Sequence, residues 1–269
     1  MDTALNLIVI LLYLATAGMI LQRLRRLADI AQRSFGRTVW LGTWTAAVVL
    51  HVLLLAPTLF TDNGLDLGFF HALSTISWLI ATLLLLVTLT RPMENLGIVL
   101  LPLSAFGVLM GVIFPEVPFH PEPEAGGLRA HIFISLLAYS VLTMAALQAI
   151  ILAIQNRHLH NHNPGGIIKA LPPLSDMESF LFRLLWLGFI LLTLALASGF
   201  VFLEDIFAQR LVHKTLLSIT AWGGFAILLF GRVRYGWRGR RAVAWTLGGF
   251  SALLLAYFGS KLVIEIILA

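Results

Sequence analysis

Eight apolar stretches, near residues 5–22, 39–60, 69–89, 96–114, 130–155, 179–203, 212–231 and 242–266, restrict the fold of this chain more than any other feature. About 20 helical residues, rising 1.5 Å each, cover the roughly 30 Å hydrocarbon of a bilayer. Backbone N–H and C=O groups in hydrocarbon find no water, so each run must pair them within itself as an α-helix. Hydrophobic residues make up 59% of the 269 and charged residues 12%, about half the usual charged share of a soluble domain. A soluble interior has no room for that much apolar side chain. The expectation is an all-α integral membrane protein. Residues 1–269 form a single polytopic membrane domain of eight transmembrane helices joined by short loops.

Basic residues then set the orientation. Arg23, Arg25, Arg26, Arg33 and Arg37 follow the first run, Arg91 the third, and Arg157, Lys169 and Arg183 lie between or just inside the fifth and sixth. Arg232, Arg234, Arg238, Arg240 and Arg241 follow the seventh. These loops alternate and lie on one side, the cytoplasmic side by the positive-inside rule. Only Arg129, Arg210, Lys214 and Lys261 fall to the other side, with Asp62, Asp66, Glu116, Glu122, Glu124, Glu204 and Asp205. An even number of spans therefore places both termini on the non-cytoplasmic side. Asp2 precedes the first run, basic residues follow it, and no small-residue cleavage site is present, which predicts an uncleaved first helix.

The net charge of +5 is distributed in clusters beside apolar runs, a pattern that fits membrane lipids as partners and not nucleic acid. Cysteine is absent, which excludes disulfides and thiolate metal sites. No phosphate-binding glycine loop, catalytic triad spacing or zinc-protease pattern occurs, and the chain is not expected to be an enzyme. Few intramembrane charges and no paired broken helices argue against a transporter. Gly107 and Gly111 form a GxxxG pattern that permits close helix approach. Arg232 to Arg241, with Tyr235 and Trp237, read first as an interfacial anchor.

Chemistry concentrates in the histidines. His158, His160 and His162 lie in a polar inner loop, either as a metal tract or as solvated side chains. His71, His131 and His213 each fall in the first turn of a helix entering from outside, so topology brings them to one membrane plane. His51 lies roughly 18 Å up its helix from the inner end, past the midplane. Helical spacing extends each of the three into a stripe: His71–Thr75–Trp78–Thr82, His131–Ser135–Tyr139, and His213–Thr220–Gly224, where glycine leaves room for a bulky ligand. Two imidazoles facing each other in a bundle ligate haem iron axially, whereas interfacial histidines capping an apolar core need no ligand. The spacing alone leaves both open.

Three segments carry a family resemblance. His213-Lys214-Thr215 leading to Ala221-Trp222, then Trp237-Arg238-Gly239-Arg240-Arg241, then Ala256-Tyr257-Phe258-Gly259-Ser260 are similar to the C-terminal part of the cytochrome c assembly membrane family. That family includes the CcsA, CcmC and HemX groups. Helix 5, from His131 through Ser135 to Tyr139-Ser140, resembles the family helix that bears an external haem-ligating histidine. Eight spans, the loop 171–178 (LPPLSDME) and the ending after Trp237 are most similar to the YpjD inner-membrane subgroup.

The resemblance implies a bacterial inner-membrane protein that binds or handles haem on the outer side. The haem would be b-type and non-covalent, with its iron held by His131 and His213 and with His51 and His71 as supporting candidates. The match of His213 is positional, and His51 matches no motif. Residues 199–215, which take the place of the family's Trp-rich loop, contain no tryptophan and so lack its flat apolar platform for a porphyrin. The alternative is a non-haem scaffold or regulator that acts on another membrane protein through helix contacts and its inner basic loops.

Overall fold

The computed structural model of the chain describes residues 3–28, 36–61, 64–65, 68–114, 126–161, 170–202 and 212–259. Eight helices pass through them: α1 (Thr3–Ala28), α2 (Arg37–Leu59), α3 (Phe69–Thr90), α4 (Gly97–Ile113), α5 (Gly126–His160), α6 (Leu174–Phe202), α7 (Val212–Tyr235) and α8 (Arg240–Leu254). A two-residue hairpin, Phe60–Thr61 against Gly64–Leu65, sits between α2 and α3, and a 3-10 turn, Glu94–Leu96, leads into α4. α8 runs on into a π-helical turn at Leu255–Gly259. Seven helices among the described residues are long and apolar enough to cross a membrane. α8, with 15 residues of α-helix before the π turn, is the eighth helix.

Two boundaries differ from the sequence expectation. α5 has 35 residues, about 52 Å of helix, and outruns the apolar run at both ends. His158 and His160 therefore lie exposed on its last turn and not in a loop, while His162 is outside the described residues. Hydropathy marks where hydrocarbon ends. The helical ladder continues into water until a breaking residue stops it, and none stands between Ile154 and His160. α6 begins at Leu174, directly after Pro172-Pro173, where proline suits a helix start.

Residues 1–122 with 157–173, and 123–156 with 174–269, form two compact units. In the first, α1 packs on α2 and α4, and α3 on α2 and α4. The α2–α3 seam is held by two indoles: Trp44 Nε1 donates to the Ala81 carbonyl at 3.2 Å and Trp78 Nε1 to that of Val48 at 3.1 Å. The α3–α4 seam is built from small residues. Ser104 Oγ donates to the Ser77 carbonyl at 3.0 Å, and a Cβ at Gly107 would fall inside the Ser77 side chain. Gly111 has open space around it, so one glycine of the GxxxG pair makes the contact. Arg37 donates to the Thr88 carbonyl at 2.9 Å and so satisfies the end of α3.

In the second unit, α6 packs on α7, and α7 on α8 and the π turn. α5 meets α6 where a Cβ on Gly188 would collide with Leu142, and where Gln148 Nε2 donates to the Met177 carbonyl at 2.9 Å. Trp222 stacks on Phe189 and donates to Thr193 Oγ1 at 2.9 Å.

The turn between α7 and α8 explains the motif residues around it. Gly236 and Gly239 have φ of 65° and 59°, the left-handed region that glycine enters without a Cβ clash. The Gly236 N–H returns to the Arg232 carbonyl at 3.1 Å and caps α7. Glu178, from the LPPLSDME loop segment, accepts from the Gly239 N–H at 3.2 Å and faces Arg232 at 3.5 Å. Trp237 folds back over Gly231, and Arg241 lies over the Trp237 ring. The two motif segments are thus one clamp.

Candidate functional site

The four histidines divide between the two units. His51, on α2, is 2% exposed, and its ring is engaged at both nitrogens. Tyr13 Oη of α1 lies 3.0 Å from Nδ1, and Ser74 Oγ of α3 lies 3.0 Å from Nε2. A neutral imidazole offers one donor and one acceptor, and hydroxyls serve as either, so the relay is complete in both tautomers. It staples three helices of the first unit. His71, on the first turn of α3, is partly buried, and its carbonyl accepts from Thr75 Oγ1 at 2.7 Å. Thr75 is buried and Trp78 turns its indole to α2, so this stripe serves helix packing.

His131 is placed differently. The early start of α5 puts it in the second turn, partly buried, against α6. Its Nδ1 lies 3.0 Å from Ser198 Oγ. Ser198 already donates its one hydroxyl proton to the Ala195 carbonyl at 3.0 Å, so it accepts at His131. The ring is thus held on α6 through Nδ1. This is the arrangement of metal-binding histidines, whose far nitrogen is oriented by a hydrogen bond from the near one. Ser135 and Tyr139 continue along α5, and Tyr139 is buried at 7% exposure.

Further contacts link α5, α6, α7, α8 and the π turn. Lys214 lies on the first turn of α7. Its Nζ sits 5.2 Å over the ring of Tyr257, which the π turn presents. Tyr257 in turn lies 5.7 Å from Tyr139, and Tyr139 5.7 Å from Phe250 of α8. Gly127, at the start of α5, allows Phe202 to close in from the end of α6. His213 precedes Lys214 on α7; its side chain lies outside the described residues, as do 203–211 of the segment compared with the Trp-rich loop. Lys261 is outside them as well.

Ser198 and Lys214 carry weight that sequence reasoning missed. Ser198 was legible only as a small residue in a long apolar helix, with no spacing to tie it to residue 131. The Lys214 signal was present, a cation next to a candidate ligand. Thr220 and Gly224 of the third stripe line one shallow groove of about 270 Å³ with Trp245 and Gly249. Among the described residues, no group of three or more His, Cys, Asp or Glu side chains is arranged to hold a metal ion. A ligand that brings its own equatorial donors, as a porphyrin does, needs no such group.

Comparison with known proteins identifies a family and several relatives. The family model described as cytochrome C assembly protein matches residues 40–268. The chain is 33% identical over 227 residues to the inner membrane protein YpjD of Escherichia coli (strain K12), covering 82% of this chain and 84% of that one. It is 25% identical over 150 residues to the cytochrome c biogenesis protein CcsA of Chlamydomonas reinhardtii, over 55% of this chain and 41% of that one. Protein HemX of Brevibacillus brevis is 23% identical over 157 residues, 56% of this chain and 58% of the relative. No solved structure matches.

Proposed function

The chain belongs to the cytochrome c assembly protein family, and from that premise we propose that it is a haem-binding or haem-handling protein of the bacterial inner membrane. Haem, held without a covalent bond, supplies an iron that accepts axial nitrogen ligands. His131 Nε2 is the first ligand. The observation that supports this assignment is the Ser198 contact, which holds the ring at Nδ1. His213, at the start of α7, is the proposed second ligand. His71 remains a supporting candidate in the other unit. His51 would have to release Tyr13 or Ser74 to bind iron.

Residues 1–269 act in this reading as one polytopic domain with eight spans and both termini outside, which sets His131 and His213 at the outer face. Binding and presentation are the role, with no turnover at the site. Absorption spectroscopy of the detergent-purified protein tests it. A Soret band and a reduced-minus-oxidised difference of a six-coordinate haem are expected, and His131→Ala should weaken haem binding at least tenfold. Absence of Soret absorbance even after haem addition overturns the proposal.

A second reading, a scaffold or regulator without haem, draws on the absence of tryptophan from 199–215 and on the exposed Arg234, Arg238, Arg240 and Arg241 around the α7–α8 turn. It predicts one stoichiometric membrane partner whose capture is unaffected by His131→Ala.

A further inference from the structure

The α7–α8 hairpin carries two features that adjoin each other. The first is charge. Arg234, Arg238, Arg240 and Arg241 are exposed around the turn, and among the described residues no carboxylate pairs with any of them. Glu178 is taken by Arg232 and by the Gly239 N–H. The second is shape. Beyond the turn, Thr220 and Gly224 of α7 and Ala244, Trp245, Gly248 and Ala252 of α8 line the groove of about 270 Å³. Packing accounts for Gly249 beside it, where a Cβ would lie 3.0 Å from the Phe225 ring. It does not account for Gly248, which is exposed and has nothing within 4 Å of where a Cβ would stand. Glycine there weakens the helix relative to alanine and leaves the groove open.

Contacts join the groove to the arginines. Trp245 lines the groove, its ring centroid is 6.1 Å from that of Trp237, and Arg241 lies over Trp237 at 5.9 Å. Along α8, Ala244 is four residues from Arg240 and Ala252 is twelve, so the groove runs from roughly 6 to 18 Å beyond the charged turn. The hydrocarbon of one leaflet is about 15 Å deep, half of the roughly 30 Å core.

We propose that this hairpin is a binding site for one anionic phospholipid, with its phosphate on Arg238, Arg240 and Arg241 and an acyl chain in the groove against Trp245 and Gly248. Guanidinium groups present paired N–H donors that match phosphate oxygens. Four positive charges without a carboxylate partner favour an anionic lipid over a zwitterionic one. A flexible chain follows a shallow channel of small residues, and the spacing of groove and turn matches headgroup and chain of one molecule. Basic residues at a membrane surface attract headgroups wherever they lie. The groove makes this contact local. The site uses neither His131 nor His213 and is independent of haem.

Quenching of tryptophan fluorescence by brominated lipids, with the full-length protein in phosphatidylcholine vesicles, tests the site. The part of the quenching that is lost in Trp245→Phe reports contact in the groove. Brominated phosphatidylglycerol should reach half of that quenching at a mole fraction roughly fivefold below brominated phosphatidylcholine. Arg240→Gln combined with Arg241→Gln should abolish the preference. Arg25→Gln combined with Arg91→Gln removes the same charge from exposed positions outside the hairpin and should keep it. Gly248→Leu extends into open space and should lower the quenching by phosphatidylglycerol. Equal mole fractions for the two lipids in the wild type overturn the proposal. So does loss of the preference in the Arg25 and Arg91 pair, which reduces the attraction to general surface charge. Unchanged quenching in Gly248→Leu removes the chain from the groove and overturns it too. Inorganic phosphate at constant ionic strength should leave the preference intact, and its loss there assigns the arginines to free phosphate instead. Should the Arg240 and Arg241 variant fail to fold, the wild-type comparison and the Gly248→Leu protein still decide.

Discussion

Two histidine rings in this protein differ in burial and in the groups that hold them. Tyr13 and Ser74 take both nitrogens of His51, whereas Ser198 holds Nδ1 of His131. Each arrangement makes its own prediction. Ser198→Ala removes the group that orients the imidazole and should lower haem affinity about tenfold, by Soret titration, with little change in thermal stability. Tyr13→Phe leaves a buried ring nitrogen without its partner. It should destabilise the first unit by about 1 kcal/mol, read as a lowered melting temperature in detergent, and leave the haem titration unchanged. Neither partner was legible from sequence. Tyr13 is 38 residues from His51 and Ser198 is 67 from His131, and no helical periodicity links residues across that distance.

At the scale of the helix, small residues decide which faces meet. Gly107 lies against Ser77, and Gly111, one turn further on, faces open space. Gly107→Val should therefore force α3 and α4 apart at a cost of about 1–3 kcal/mol, while Gly111→Val should be close to neutral in the same melting experiment. The GxxxG spacing announced a close approach without saying which glycine makes it. A helix carries every i, i+4 pair on one face, and only the neighbour's own small residue selects the contact. The same limit applies to α5. Its apolar run was plain, but its full 35 residues were not, because water tolerates a polar helical turn that hydropathy does not register. The α7–α8 turn combines both kinds of information. Glycines at 236 and 239 were visible as motif letters, and their left-handed φ and the Glu178 clamp gave those letters a mechanical meaning.

For the whole molecule, the proposed topology is testable by reporter fusions. A reporter active only outside the cytoplasm should work when fused after residue 269 and fail in the loop following α1. The opposite pattern would reverse the membrane sidedness of His131. Within the second unit, α5 and α6 meet at His131 and Ser198, and α7 meets the π turn at Lys214 and Tyr257.

Sequence alone determined the solvent, the helices and the family. Those depend on composition, on runs of about 20 residues and on local motifs, all properties that a one-dimensional string carries. The partners of each imidazole were decided by tertiary structure. A histidine at membrane depth must find a hydrogen-bond partner, and that partner comes from whichever helix packs beside it. Packing closed His51 on both sides and left His131 with one oriented nitrogen, which separates a structural staple from a candidate ligand.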